Sequence, residues 1–362
     1  MAHAEPNEPL RVALIGYGLA GLVFHAPLIA ATSGMRLASV VTSDPGRQAS
    51  AIERYPGIRV FPRADPLWER ESEHDLVVVA TPNRSHVPLG LAALEAGLPV
   101  VIDKPMAPSA DEGRRLIAAA ERHGRGLTVF QNRRWDGDFL TVRRLLSEET
   151  LGSVVRFESR FERWRPEVDG SAWRERSHPE EAGGLLFDLG SHLIDQAVNL
   201  FGPATSVYAE LDRRRPGAVV DDDVFVALTH RSGVRSHLSM TVLAPTQGPR
   251  FRVVGTRGTY EKSGLDGQEE ALARGERPDG GTAWGREPSE RWGRLADGED
   301  VRPIETEPGD YPAFYASVVE ALRRASPMPV DPAEAVACLA IIEAALASAR
   351  TGSVITLGHD VA

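Results

Sequence analysis

Lys104 lies in Asp103-Lys104-Pro105, between the end of an apolar run and a proline, and is one of only two lysines among 41 basic residues, the other being Lys262. A residue before proline is confined to extended backbone, so this ammonium is held toward one side of the fold and does not trail in solvent. In a cleft it can bind a hydroxyl and favour the alkoxide character that develops when hydride leaves the same carbon. The segment Gly183-Gly184-Leu-Leu-Phe-Asp188-Leu-Gly-Ser-His192 supplies two more groups. On a helix Asp188 and His192 share one face and can reach one ligand. An imidazole there accepts the hydroxyl proton near neutral pH, and Asp188 orients the substrate or the imidazole.

Hydride chemistry needs a carrier, and the chain opens on a place for one. Gly16-Tyr17-Gly18-Leu19-Ala20-Gly21 follows an apolar strand and begins a helical run. The first glycine of such a turn makes it tight, the second lets the backbone approach a pyrophosphate, and the third lets helix pack on strand. The next strand ends as Thr42-Ser43-Asp44-Pro45-Gly46-Arg47. Thr42, small and neutral, occupies the place where an acidic residue would accept from a ribose 2′-hydroxyl. Asp44 before Pro45 reads as a helix N-cap. Thr42, Ser43 and Arg47 are then free to hold a 2′-phosphate, which favours NADP; NAD remains the alternative if Asp44 turns to the ribose. Thr81, Pro82, Asn83 and His86, after a fourth strand, and Asp103 and Lys104, after a fifth, fall on the same cofactor edge.

These groups must be positioned by elements legible as periodicity. Strands are expected at Arg11–Ile15, Arg36–Thr42, Ile58–Phe61, Leu76–Ala80, Val100–Ile102 and Leu127–Phe130, with helical runs between them. The helices include Arg84–Ala96, with Ser85 as its cap and Gly97 closing it, and Ala110–His123 between Ser109 and Gly124. Pro27 shortens or kinks the first helix. This rhythm is that of a doubly wound parallel sheet with ligands at the strands' carboxyl ends. After about Trp135 the pattern becomes α+β. Strands Ser153–Phe161, Thr205–Leu211, Val224–Thr229, Val234–Leu243 and Phe251–Gly255 form one open, mostly antiparallel sheet with Gly184–Phe201 as its main helix. Lys262–Pro312 reads as a surface excursion with one helical turn at Gln268–Arg274. Helices at Pro312–Arg324 and Pro332–Arg350, the latter between Asp331 and Gly352, finish the chain. The expected domains are 1–132, binding dinucleotide, and 133–362, binding substrate and forming the oligomer.

With 51 acidic against 41 basic residues the 362-residue chain carries a formal charge of -10, the wrong sign for neutralising nucleic-acid phosphates. The lone Cys338 falls in an apolar helical run and suits a reducing cytoplasm. Met1–Pro9 has no basic region leading into an apolar one, and apolar runs such as Leu76–Ala80 are too short to span a bilayer. The histidines lack the spacing of a zinc site, so no metal is expected.

Taken together, the Gly16–Leu28 motif, Thr81-Pro82-Asn83, Asp103-Lys104-Pro105 and Asp188-x-Gly-x-His192 resemble the Gfo/Idh/MocA oxidoreductases along essentially the whole chain. The closest likeness is to the NADP-dependent scyllo-inositol dehydrogenase branch, through Asn132-Arg-Arg-Trp-Asp136, Trp164-Arg-Pro-Glu-Val168 and Gly264-Leu-Asp-Gly-Gln-Glu-Glu-Ala-Leu272. The family's triplet usually begins with Glu, where this chain has Asp103. The resemblance implies a Rossmann domain, an open-sheet domain that builds dimers or tetramers, and oxidation of a secondary alcohol of a sugar or cyclitol, or reduction of its ketone. It implies Lys104 for substrate binding and proton relay, His192 as acid or base, and Asp188 as its partner. Asn132, Arg134, Trp135, Arg165 and Trp173, in or near the family-like segments, are candidates for the polyol's hydroxyls. Two alternatives stand beside this: reduction of a keto sugar or a diol-derived ketone, and a nucleotide-sensing regulator without catalysis.

Overall fold

The computed structural model describes residues 8–170, 172–175, 181–278, 281 and 283–358; residues 1–7 of the acidic start lie outside them. Fifteen strands fall into two sheets. The first holds β1 (Leu10–Ile15), β2 (Met35–Val41), β3 (Arg59–Phe61), β4 (Leu76–Val79), β5 (Val100–Asp103) and β6 (Leu127–Phe130), all parallel, in the order β3-β2-β1-β4-β5-β6. Every residue of β4 and of β6 is buried, as strands covered on both faces require. The second holds β7 (Val154–Glu162), β8 (Ala204–Asp212), β9 (Asp223–His230), β10 (Arg235–Thr241), β11 (Phe251–Gly255), β12 (Thr259–Lys262), β13 (Gly293–Asp297), β14 (Asp300–Ile304) and β15 (Ile355–Thr356). Its order is β14-β13-β12-β11-β7-β10-β9-β8-β15. Along β9 buried and half-buried residues alternate without a break, the mark of a sheet with one face on a core and one left open.

The helices are α1 (Ala26–Ala31), α2 (Pro45–Arg54), α3 (Asp65–Trp68), α4 (His86–Glu95), α5 (Ala110–His123), α6 (Gly137–Ser147), α7 (Ser191–Phe201), α8 (Gln268–Ala273), α9 (Tyr311–Arg324) and α10 (Pro332–Thr351). Several ends follow from single residues. Asp44 accepts from the Arg47 amide at 2.8 Å, Ser109 from Glu112 at 3.3 Å and Asp331 from Ala333 at 2.9 Å, each satisfying a donor that the first turn leaves free. Pro27 sits in the first turn of α1, which is short and follows a π-helical segment, Ala20–His25.

Three expectations need correction and one is refined. Ser85 makes no capping bond: a 3-10 turn at Asn83–Ser85 comes first, and the helix begins at His86. The excursion from Lys262 also carries the hairpin β13–β14, which pairs with β12 and widens the sheet; its two-residue turn uses Gly298 at φ +63°. The second sheet is mostly antiparallel, as expected, with one parallel pair in its middle, β7 beside β10. Finally, α10 is long and apolar enough to cross a bilayer by length and composition. It packs against α5 and β6 on one side and α7 and β8 on the other, so an all-round apolar surface is what its position demands.

The last two helices bind the halves together. Phe314, Tyr315 and Val318 of α9 and Val336 and Leu339 of α10 complete the core of the first sheet, while Cys338, Ile341 and Ala345 of α10 enter that of the second. A division after residue 132 therefore separates the sheets but not their cores.

Candidate active site

Two connected cavities open at the carboxyl ends of the first sheet. The larger, about 650 Å³, is a groove lined by Gly16, Tyr17, Gly18, Leu19 and Ala20 from the first turn, Thr42, Ser43 and Arg47 after β2, Thr81, Pro82 and Asn83 after β4, and Asp103 and Lys104 after β5. The glycine turn is built by steric exclusion. A Cβ on Gly16, at φ +101°, would lie 2.4 Å from the Ala80 carbonyl oxygen, and one on Gly21 would lie 2.0 Å from that of Gly16. Gly18 differs: its Cβ would meet nothing nearer than Arg47 Nη1 at 3.7 Å, so here the backbone faces open groove. In the wall, the Thr81 hydroxyl and the Tyr17 hydroxyl are buried without a hydrogen-bond partner. A bare backbone turn, a guanidinium opposite it and orphaned hydroxyls fit a dinucleotide phosphate and its ribose.

Gly21 and His86 do not line this groove. Gly21 serves the packing just described. The His86 ring is buried, with Nδ1 2.8 Å from the Pro105 carbonyl and Nε2 2.8 Å from that of Thr81, so it ties the turn after β4 to the one after β5. Asp44, engaged in capping α2, is exposed and does not line the groove either.

The second cavity, about 110 Å³, shares Leu19, Ala20, Asp103, Lys104, Arg174 and Asp188 with the groove and adds Phe24, His25, Asn132, Arg133, Arg163, Arg165, His192 and Glu269. Lys104 leaves the end of β5 and donates to Asp188 Oδ1 at 2.9 Å and to the Asp188 backbone carbonyl. Asp188 lies on a π-helical turn, Leu186–Gly190, that runs into α7, and His192 follows in the first turn of that helix. Both the glycine-rich segment and this one thus approach the cavity through a π-helical stretch, a distortion frequent at functional sites.

The electrostatics separate the two carboxylates from the imidazole. Desolvation alone would raise the Asp188 carboxyl, but Lys104 and then Arg174, whose Nε lies 3.2 Å away, hold it below the ordinary carboxylate range. Asp103 is likewise held low, against its burial, by His25 and Lys104. Burial pushes His192 well below the ordinary histidine value, and Lys104, Arg133, Arg250 and Arg163 push it further. Its imidazole is therefore neutral at pH 7, and its Nδ1 is buried without a partner. A neutral base with an unsatisfied nitrogen, an ammonium held by a permanent carboxylate and a groove for a hydride carrier are the components that oxidation of an alcohol, or its reverse, requires.

Part of the substrate wall expected from sequence lies elsewhere. Arg134 points away from the cavity: its guanidinium forks onto Asp195 at 2.8 and 2.6 Å and reaches Glu334 at 2.6 Å, locking the turn after β6 to α7 and α10. Trp135 packs edge-on against Phe314 with ring centroids 5.5 Å apart. Trp173 lines the cofactor groove, not the smaller cavity. Asn132 and Arg165 do line the smaller cavity. Sequence reasoning does not single out Arg133, Arg163, Arg174 or Glu269, which line it too. Glu269 was within reach, since it sits in the Gly264–Leu272 segment, and Arg163 stands two residues before Arg165, just past the end of β7. Among the described residues no group of three or more His, Cys, Asp or Glu is arranged to hold a metal ion.

Comparison with known proteins finds relatives over nearly the whole chain. A family model for the NAD-binding Rossmann fold of the oxidoreductase family (GFO_IDH_MocA) matches residues 10–131, and one for its C-terminal alpha/beta domain matches residues 143–357. The chain is 42% identical to the uncharacterized oxidoreductase YdgJ of Escherichia coli, over 95% of this chain and 97% of that one. It is 34% identical to IolW of Bacillus subtilis, a scyllo-inositol 2-dehydrogenase (NADP(+)), over 97% of each. Among solved structures, yvaA of Bacillus subtilis superposes with a TM-score of 0.92 at 33% identity, covering 98% of this chain and all of that one.

Proposed function

The chain belongs to the Gfo/Idh/MocA oxidoreductase family and is an NAD(P)-dependent oxidoreductase; from that premise we propose that it uses NADP to interconvert a secondary alcohol of a cyclitol or sugar, such as scyllo-inositol, with its ketone. The observation that carries this reading is that Lys104, Asp188 and His192, from opposite halves of the chain, meet in one cavity that opens into the dinucleotide groove.

Bound in that groove, the nicotinamide supplies or takes up the hydride. Lys104 Nζ, steered by Asp188, donates to the substrate oxygen and stabilises the negative charge that grows on it. His192, neutral at working pH, accepts the hydroxyl proton in oxidation and returns one in reduction. The cations around it disfavour a lasting imidazolium, which favours release of that proton to solvent. Asn132 supplies a donor and an acceptor for further hydroxyls, and pairing several such groups with the substrate's own rejects analogues that lack them. Thr42, Ser43 and Arg47 around the ribose edge, with Asp44 drawn away into its cap, support NADP over NAD. So does the name of the 34% identical IolW. The open face of the second sheet supports assembly into a homodimer or homotetramer, and a cytoplasmic location suits a nicotinamide enzyme with a lone buried cysteine.

A panel of cyclitols, sugars and their ketones, assayed with NADP and with NAD at fixed concentration, tests the reading. Oxidation of a polyol with NADP ahead of NAD is expected; reduction of keto sugars or diol-derived ketones alone, with no polyol oxidised, refutes the polyol assignment.

A further inference from the structure

The catalytic cavity carries more positive charge than its own carboxylates use. Lys104 and four arginines line it against three acids, Asp103, Asp188 and Glu269. Asp188 is shared by Lys104 and Arg174. Glu269 takes Arg133 at 2.5 Å, and Arg133 also meets Asp136 at 3.3 Å. Asp103 accepts from the Lys104 backbone amide at 2.9 Å and faces His25 at 3.8 Å. Two guanidiniums remain. Among the described residues, Arg163 has no carboxylate oxygen nearer than that of Glu269 at 3.9 Å, which Arg133 already engages, and rests on the Phe161 ring. Arg165 has no ion pair or hydrogen bond through its side chain among the described residues.

Their placement is fixed by backbone. The amides of Arg163 and Arg165 donate to the carbonyls of Thr241 at 2.9 Å and Val242 at 2.8 Å, with Trp164 in an isolated antiparallel bridge to Leu243 between them, so the chain just past β7 is pinned to the segment that follows β10. Trp164, between them, is exposed and lines neither cavity. Both arginines line the catalytic cavity and neither lines the dinucleotide groove. Cofactor phosphates beside Gly18 and Arg47 therefore do not account for them. Burial also lowers the Arg163 pKa, the sign of a cation desolvated without full compensation.

Resting on the alcohol and ketone reading above, we propose that the substrate bears an anionic substituent, a carboxylate or a phosphate monoester, received by Arg163 and Arg165 while its reacting carbon lies at Lys104 and His192. Guanidinium forks match both anions in geometry. The substrate class is then a sugar acid or a sugar or cyclitol phosphate, and a neutral polyol is a poorer version of it.

The test uses the full-length enzyme with NADP and matched substrates: glucose, glucuronate and glucose 6-phosphate, and inositol beside inositol monophosphate. A charged member is expected to show a kcat/KM at least about tenfold above its neutral counterpart, the effect of one charge-assisted hydrogen bond. The ratio between carboxylate and phosphate then identifies the anion. The double variant Arg163→Gln and Arg165→Gln is expected to erase the preference without altering the Kd for NADP. Arg165→Gln alone, at an exposed side chain without partners, reduces the preference where the double variant fails to fold. Neutral substrates turned over as well as or better than charged ones, or a double variant that weakens both alike, overturns the anion site and leaves the polyol reading intact. Calorimetric binding of glucuronate or glucose 6-phosphate to the NADP-loaded enzyme that is lost in the variants, with no polyol or ketone turned over, supports the anion site and refutes the polyol reading.

Discussion

Lys104 Nζ lies 2.9 Å from Asp188 Oδ1, joining the end of β5 in the first sheet to the turn that begins α7 in the second half of the chain. Together with the bond to the Asp188 backbone carbonyl, this contact fixes an otherwise flexible ammonium where groove and cavity meet. Asp188→Asn keeps an oxygen acceptor but removes the charge, whereas Asp188→Ala removes both. Steady-state kinetics are expected to show kcat/KM lowered roughly 10- to 100-fold in the Asn variant and further in Ala, the scale of a charge-assisted hydrogen bond. Equal losses in the two would show that the charge acts without the oxygen acceptor, and turnover unchanged in both would contradict a role for Asp188.

As the proposed base, His192 is expected to govern the pH dependence. Its folded-state pKa lies below the ordinary value of 6.5, first through burial and then through the surrounding cations. The base form is the neutral one, fully present above that lowered pKa and lost only as pH falls through it. In a kcat/KM profile for alcohol oxidation the acid limb assigned to His192 is therefore expected below 6.5, with activity level across that value. Arg163→Gln removes one of the depressing charges and is expected to move the limb upward. A limb at or above the ordinary histidine value that His192→Asn abolishes contradicts this.

The proposed preference for NADP is assigned to Arg47, whose Nη1 lies 3.7 Å from where a Gly18 Cβ would stand. Arg47→Ala is expected to raise the Kd for NADP about tenfold or more, as loss of a charged hydrogen bond does, and to leave that for NAD within about twofold. Fluorescence titration with both reduced cofactors measures it. An equal effect on the two removes the proposed phosphate contact.

Arg134 is a structural residue. Its removal strands Asp195, which is buried, beside an unfilled guanidinium site. Arg134→Ala is expected to cost about 3–5 kcal/mol of unfolding free energy, the usual penalty for breaking a buried pair from one side. Denaturant unfolding reads this, and KM in the surviving folded enzyme is expected to change little. A stable Arg134→Ala with KM strongly raised would place Arg134 in the substrate wall after all.

How much of the site is legible in the sequence depends on how local each signal is. Gly16, Gly18 and Gly21 declare the groove because tight turns select residue type directly. Lys104 beside Pro105 and Asp188 four residues before His192 are likewise local, and each lines the site. Arg133 and Arg134 are adjacent and chemically identical, so nothing in the sequence says which enters the cavity. That choice is made by Asp195 and Glu334, 61 and 200 residues away, which capture Arg134. The hairpin β13–β14 is hidden for a related reason: its polar strands sit at the sheet's edge, where only Gly293, Leu295 and Ile304 are buried and hydrophobic alternation is faint. Helix α10 is visible as a helix, but its role between two cores is not, because that depends on both sheets at once.

The most direct measurement is turnover and cofactor affinity of Lys104→Met, made with the polyol or sugar that the wild type oxidises fastest. Met keeps the length of the side chain and removes the ammonium. The expected result is an NADP Kd near that of the wild type with kcat lowered by about two to four orders of magnitude, as when a group acting on the reacting oxygen is lost. Turnover within a few fold of the wild type would contradict the assignment of Lys104 to the reacting oxygen, and with it the proposed chemistry of the cavity.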